Sequence, residues 1–356
     1  MENILLFCGI GLLGFSLSLV CVPFSRRVSR LLRAVDVPVP HKVHSSPMPR
    51  LGGLAIYGGF WLSILVLRLF YPEPLVGFEH KLAGLFAGSS LVLAIGVLDD
   101  IFGLGAFLKL VVEVGAAILV VSFGFRVMPE GSLSLLGRFG EVLVFVGSAV
   151  WLVWVTNVFN LADGLDGLAA GIGGIVSLST FVISMSLGIA WVGVLSIILF
   201  GVCSGFLVHN FPPARIFMGD AGSYFLGYML GVTAIEFTYL PKDTRVTALM
   251  PIALPFILFA VPFYDTLSVI CIRIIEGRHI FDADKRHFSH RLTDLGLNKR
   301  EAVLTIYAAT LATSFPALYL RHLNRFSLLG AVVQALLVLL VVAILEHAGA
   351  RAKPDA

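Results

Sequence analysis

Unbroken apolar runs leave this chain few ways to fold. Segments near 3–23, 51–70, 82–98, 107–123, 141–159, 168–187, 190–208, 222–239, 246–272, 302–320 and 327–346 are apolar over a length close to the ~20 residues a helix needs to cross a bilayer. Inside lipid every backbone N–H and C=O must find a partner within its own segment, so such runs become helices. Eleven crossings at that length occupy about 220 of the 356 residues. Composition agrees, with 58% apolar residues, 13% charged and a mean hydropathy of +0.96. A soluble domain carries roughly a quarter charged residues. The predicted fold is therefore an all-α polytopic integral membrane protein, one domain over 1–356. The ninth run contains Pro251, Pro255 and Pro262, and proline removes a helix hydrogen bond, so that helix is predicted to be kinked or broken.

A net charge of +3 with no large basic face argues against a nucleic-acid partner. Cys8, Cys21, Cys203 and Cys271 sit in apolar runs without metal-ligand spacing and read as buried thiols. Met1-Glu2-Asn3 offers no basic segment ahead of the first run, which is thus expected to stay as an anchor. The loops near 24–50, 99–106, 160–167, 209–221 and 273–301, with the tail, hold sixteen Lys and Arg, whereas the opposite loops and span ends hold eight. The positive-inside rule places the first set in the cytoplasm, the N-terminus outside and the C-terminus inside.

The residues with chemical potential fall in that same set. Asp99 and Asp100 end the third run, where the negative end of a helix dipole disfavours acids. Neighbours on a helix are ~100° apart, so one can reach a reacting group or metal while the other orients it. Asn160, Asp163 and Asp166 recur at three-residue spacing and share a helical face. Such oxygen donors suit a hard cation such as Mg²⁺, or a sugar hydroxyl. Asp220 lies in Phe217-Met218-Gly219-Asp220-Ala221-Gly222-Ser223, just ahead of an apolar run, where helix N–H groups also receive phosphate. Phe217 can stack on a base or simply sit in the membrane. After the ninth run, His287, His290 and Arg291 exceed what topology alone requires, and can donate to phosphate or sugar oxygens. Asp265 is the acid well inside that run; it either supports the site or hydrogen-bonds within the bundle.

Together these segments resemble the polyprenyl-phosphate N-acetylhexosamine-1-phosphate transferase family, and its WecA/TagO-like branch more than its MraY branch. The resemblance covers roughly residues 35–310 and includes His41-Lys42-Val43-His44 through Pro47-Met48-Pro49-Arg50-Leu51-Gly52-Gly53. The Asp-Asp pair, Asn160-Leu161-Ala162-Asp163-Gly164-Leu165-Asp166-Gly167 and the Phe217–Ser223 motif follow in family order. It implies transfer of N-acetylhexosamine-1-phosphate, first of all GlcNAc-1-phosphate, from a UDP-sugar to polyprenyl (undecaprenyl) phosphate, with Mg²⁺ or alternatively Mn²⁺. The products would be a polyprenyl-diphosphate sugar and UMP, in the first membrane step of a cell-envelope glycan. The expected location is the bacterial inner (plasma) membrane, with the active site facing the cytoplasm.

Carried over by motif, Asp220 and Asn160 would hold the metal, and Asp99 and Asp100 would be catalytic, activating or fixing the lipid phosphate. Asp163, Asp166 and Phe217 would bind the nucleotide. Lys109 and Arg291 would bind phosphate, and His287 and His290 the sugar. Lys42, His44 and Arg50 would assist the lipid phosphate or shape their loop. Ser289 stands where that branch usually has a histidine, which opens the choice of sugar to another UDP-N-acetyl sugar. MraY-type transfer of phospho-MurNAc-pentapeptide is a further alternative, and a secondary transporter with an acidic relay is a reading of another class. A transporter would place its acids near the bilayer midplane. The sequence leaves the oligomeric state open, a homodimer included.

Overall fold

The computed structural model describes residues 2–36, 47–128, 136–236, 250–277, 286–316 and 325–351. Their helices run α1 Glu2–Leu31, α2 Gly53–Phe70, α3 Glu79–Phe102, α4 Ala106–Ser122, α5 Gly137–Ala162, α6 Leu168–Ser186, α7 Ala190–Asn210 and α8 Gly219–Ile235. Then follow α9 Met250–Leu258, α10 Ala260–Ile275, α11 Phe288–Asp294, α12 Lys299–Ser314 and α13 Arg325–Arg351. Two short strands, β1 Val35–Asp36 and β2 Met48–Pro49, pair antiparallel.

Among the described residues, seven helices are long and apolar enough to span a membrane: α1 from Ile4, α2, α3, α5, α6, α7 and α13 from Leu328 to Glu346. The chain is a nearly all-helical, multi-span membrane protein. The other four apolar runs fall on shorter helices. α4 and α8 have 17 residues each and α12 has 16. The ninth run is shared between α9, of 9 residues, and α10, of 16, with Phe259 between them. Pro262 has no N–H to offer the carbonyl of Leu258, which is where α9 stops.

Burial sorts the helices into centre and rim. The most apolar stretches of α7 and α6 are 78% and 72% buried, those of α1 and α13 only 22% and 17%. α8 is buried from Ala221 to Ile235 and forms the axis. It packs on α3 and α5, and small residues allow the close approach that helices in lipid rely on. A Cβ on Gly53 would overlap the backbone of Ala221 and Gly222, so α2 touches the start of α8 directly. Gly219 has φ +71° and packs on Arg50 O and the Asp100 carboxylate; only glycine accepts both constraints cheaply. The strand pair β1–β2, which leads into Arg50, is tied to the same spot through Phe217 N donating to Pro49 O at 2.8 Å.

Candidate active site

The loop after α3 is drawn back on itself. Gly103 N donates to Asp99 O at 2.8 Å and Leu104 N to Asp99 Oδ1 at 2.6 Å. That turn sends α4 back along α3, so Lys109, one turn into α4, reaches Asp99 Oδ2 at 2.8 Å. Lys109 Nζ also lies 3.5 Å from Asp220 Oδ2 on α8. Asp99 and Asp220 are themselves within hydrogen-bonding reach of each other. Two carboxylates this close require a shared proton or a cation.

Asp100 is buried and works differently. Its Oδ1 accepts Asp220 N and its Oδ2 accepts Ala221 N, both at 3.1 Å, with Arg50 Nη2 3.7 Å from Oδ1. The carboxylate thus satisfies N–H groups of the first turn of α8, at the positive end of that helix dipole. On α5, Asn160 Nδ2 donates to Ser223 Oγ at 2.9 Å, and the same side chain hydrogen-bonds Asp220. The amide oxygen of Asn160 remains available as a ligand.

Next to this cluster is a cavity of about 250 Å³ lined by Arg50, Asn160, Asp163, Asp166, Phe217, Asp220, Asn210 and Lys299, among others. Its floor is pinned by hydrogen bonds. Asp166 Oδ2 accepts Ala214 N at 3.2 Å, and Asn210 bridges Gly167 N and Ile216 O at 3.0 and 2.8 Å. Burial, reinforced by Asp220, Asp100 and Asp166 and opposed by Arg50, pushes the Asp163 carboxyl up to about 8. Five carboxyl groups, Asp99, Asp100, Asp163, Asp166 and Asp220, share the site with three basic side chains, Arg50, Lys109 and Lys299.

The predicted residues divide into three groups. Arg50, Asn160, Asp163, Asp166, Phe217 and Asp220 line the cavity, with Asp99, Asp100 and Lys109 directly joined to that group. His287, His290 and Arg291 are brought near through α11 but do not line the cavity. His287 is buried with Nδ1 3.0 Å from Asp265 Oδ2, and Phe288 N donates to Asp265 Oδ1 at 2.5 Å. Asp265 therefore anchors α11. Arg291 pairs with Glu346 of α13 at 2.9 Å and donates to Ser268 Oγ at 2.8 Å. Ser289 Oγ and His290 Nε2 come closest to the cavity, beside Gly164: a Cβ there would lie 3.3 and 3.8 Å from them. The third group, Lys42 and His44, lies outside the described residues.

Several participants are not evident from the sequence. Glu113, one turn beyond Lys109 and buried, accepts a hydrogen bond from Asn157 of α5. A carboxylate inside an apolar run is the one signal that marks it. Ser223 closes the Phe217–Ser223 motif without a role of its own in the sequence, and Asn210 and Lys299 carry no signal that sets them apart from loop and helix-end residues.

Among the described residues, no three His, Cys, Asp or Glu side chains converge into a ready metal cage. Mg²⁺ does not need one: it is usually held by one or two carboxylates, waters and substrate phosphates. The Asp99–Asp220 pair and the crowding of carboxyl groups around Asp163 fit a divalent cation.

Comparison with known proteins gives the same direction. Residues 82–238 match the model of glycosyl transferase family 4. A probable undecaprenyl-phosphate N-acetylglucosaminyl 1-phosphate transferase of Bacillus subtilis is 36% identical over 85% of this chain and 82% of its own length. A decaprenyl-phosphate N-acetylglucosaminephosphotransferase of Mycolicibacterium smegmatis is also 36% identical, over 77% and 72%. The undecaprenyl-phosphate alpha-N-acetylglucosaminyl 1-phosphate transferase of Escherichia coli K12 is 28% identical over 82% and 78%. Both the motifs and the extent of these matches make the chain a member of glycosyl transferase family 4, among the polyprenyl-phosphate N-acetylhexosamine-1-phosphate transferases.

Proposed function

We propose that this protein transfers GlcNAc-1-phosphate from UDP-GlcNAc to polyprenyl phosphate, giving polyprenyl-diphosphate GlcNAc and UMP. The observation that carries the proposal is the convergence of Asp99, Asp220, Lys109 and Asn160 with Asp163, Asp166 and Phe217 at one end of the bundle. The names of the relatives supply the substrate class. Eleven crossings, with that end facing the cytoplasm of a bacterial inner membrane, would bring a cytosolic nucleotide sugar and an inner-leaflet lipid phosphate together.

In this reading Asp220 and Asn160 hold Mg²⁺, which when bound neutralises the diphosphate and eases departure of UMP. Asp166 accepts a hydrogen bond from the uracil while Phe217 stacks on it. Lys109 gives its ammonium to the phosphate that carries developing charge, held in place by Asp99. Asp100 acts through structure: both its oxygens are engaged at the start of α8. The lipid phosphate, with its second pKa near 6, is largely a dianion at neutral pH. It therefore attacks the sugar-bearing phosphorus directly and in line, without a covalent aspartyl intermediate. His290 on α11, beside Gly164, faces the sugar.

The proposal is tested by offering a panel of radiolabelled UDP-sugars to the purified protein in liposomes containing undecaprenyl phosphate. UDP-GlcNAc should label the lipid and release UMP. Labelling from UDP-MurNAc-pentapeptide alone would replace the proposed substrate, and labelling from none would remove the activity. Orientation is checked at Asp294, an exposed residue of α11: Asp294→Cys should react with a charged thiol reagent from the cytoplasmic side only.

A further inference from the structure

α12 begins with two cations, which is the wrong charge for a helix N-terminus. Asn298 and Glu301 close a capping box there, with Glu301 N donating to Asn298 Oδ1 at 3.0 Å and Asn298 N to Glu301 Oε2 at 2.8 Å. Helix stability therefore does not account for Lys299 and Arg300. Arg300 serves the packing of α12. Its Nε donates to Pro212 O at 2.8 Å, tying the helix to the loop that precedes Phe217. Further along, Tyr307 OH donates to Gly167 O at 2.5 Å, so α12 runs alongside the Asp166–Gly167 turn. Lys299 lines the cavity, and no described acidic side chain pairs with it, although Asp163 and Asp166 share the cavity wall. A lysine that lines this cavity without an ion-pair partner among the described acids is suited to an oxygen acceptor on a ligand.

We propose that Lys299 is a substrate-binding residue that donates a hydrogen bond to a carbonyl oxygen of the uracil ring. Uracil presents an N3–H donor flanked by two carbonyl acceptors. A carboxylate at Asp166 takes the N–H, and an ammonium from the same cavity lining takes a carbonyl. This rests on the nucleotide reading of the cavity given above and adds a residue to it. The arrangement needs no cation, because it concerns the base alone.

The experiment compares wild type with Lys299→Gln and Lys299→Arg in detergent, measuring inhibition by UMP and by uridine alongside turnover of UDP-GlcNAc. In Lys299→Gln, inhibition by both UMP and uridine should weaken about tenfold, the effect of losing one charge-assisted bond. The KM for UDP-GlcNAc should rise by the same factor, while kcat and the KM for undecaprenyl phosphate change less than about twofold. Lys299→Arg should recover most of the loss. If UMP binding weakens and uridine binding does not, Lys299 contacts phosphate and the base assignment is overturned. If neither weakens, Lys299 does not bind the nucleotide at all. Failure of the wild type to turn over UDP-GlcNAc would instead strike the proposed function, and the binding measurements distinguish that case.

Discussion

α3 and α8 lie side by side and carry charge at both ends, but the two ends are built oppositely. At one end Lys81, in the first turn of α3, meets Glu236, the residue that follows α8, with Nζ 2.8 and 2.9 Å from the two carboxylate oxygens. Glu236 is buried, and the ammonium lies 5.0 Å from the ring centre of Phe125 and 5.1 Å from that of Trp191. Acid and base are matched, closed off and covered by aromatic faces. At the other end Asp99, Asp100 and Asp220 gather around Lys109 and Arg50, beside a cavity that adds Asp163 and Asp166 against the single cation of Lys299. Matched charge holds helices together. Unmatched charge beside a cavity leaves capacity for a ligand that completes it, and this is the physical basis for locating the site at the Asp99–Asp220 end.

The contrast between the two ends breaks most easily at Asp220. Asp220→Asn should reduce turnover at least about a hundredfold, the range for a lost electrostatic contact to a developing charge. Near-normal turnover in a folded Asp220→Asn protein would remove that residue from the site. Lys109→Met should cost about ten- to hundredfold, since a charge-assisted hydrogen bond contributes ~1.5–3 kcal/mol. An unchanged rate there would mean that the Lys109–Asp99 pair is only another clamp.

Asp163 sharpens the contrast through pH. Its carboxyl is raised from the ordinary 3.8 to about 8, so between those values the unfolded chain is ionised at this residue while the folded site is not. Without added cation, stability should therefore fall as pH rises through that window. A divalent cation favours the ionised form, so its apparent affinity should climb from pH 6 toward pH 8, by at most about tenfold per unit for one proton released. Calorimetry in two buffers of different ionisation enthalpy reads that proton directly; binding that is flat with pH would contradict it.

The smallest effect on activity is expected at the opposite end. Glu236→Gln should leave turnover of the folded protein within about twofold, yet lower stability by roughly 1–3 kcal/mol, because it leaves the half-buried Lys81 ammonium without its counter-charge. Thermal unfolding in detergent and specific activity, measured on the same sample, separate the two outcomes.

How much of this is legible in the chain follows from interaction range. The apolar runs, the Asp-Asp pair and the Asn160–Asp166 spacing are local patterns, and six of the residues marked by such motifs line one cavity. The Lys81–Glu236 pair joins residues 155 apart, and Arg291 finds Glu346 across 55. Neither pairing leaves a periodicity to read, because each depends on which helix faces which. Arg291 illustrates the consequence: its charge suggests phosphate, whereas in the fold its guanidinium holds α11 against α10 and α13. Asp265 is open to two readings in the sequence, and its contacts with His287 and Phe288 assign it to anchoring α11. Gly219 is a case in between, since its motif marks the place but only the fold explains why no side chain fits there.

The most direct measurement is UMP release from UDP-GlcNAc and undecaprenyl phosphate as Mg²⁺ is withdrawn with EDTA and then restored. Turnover that vanishes and returns, and that Asp220→Asn abolishes at every Mg²⁺ concentration, is the expected result. Turnover that persists in excess EDTA would contradict the view that the unmatched acids exist to hold a cation against the nucleotide.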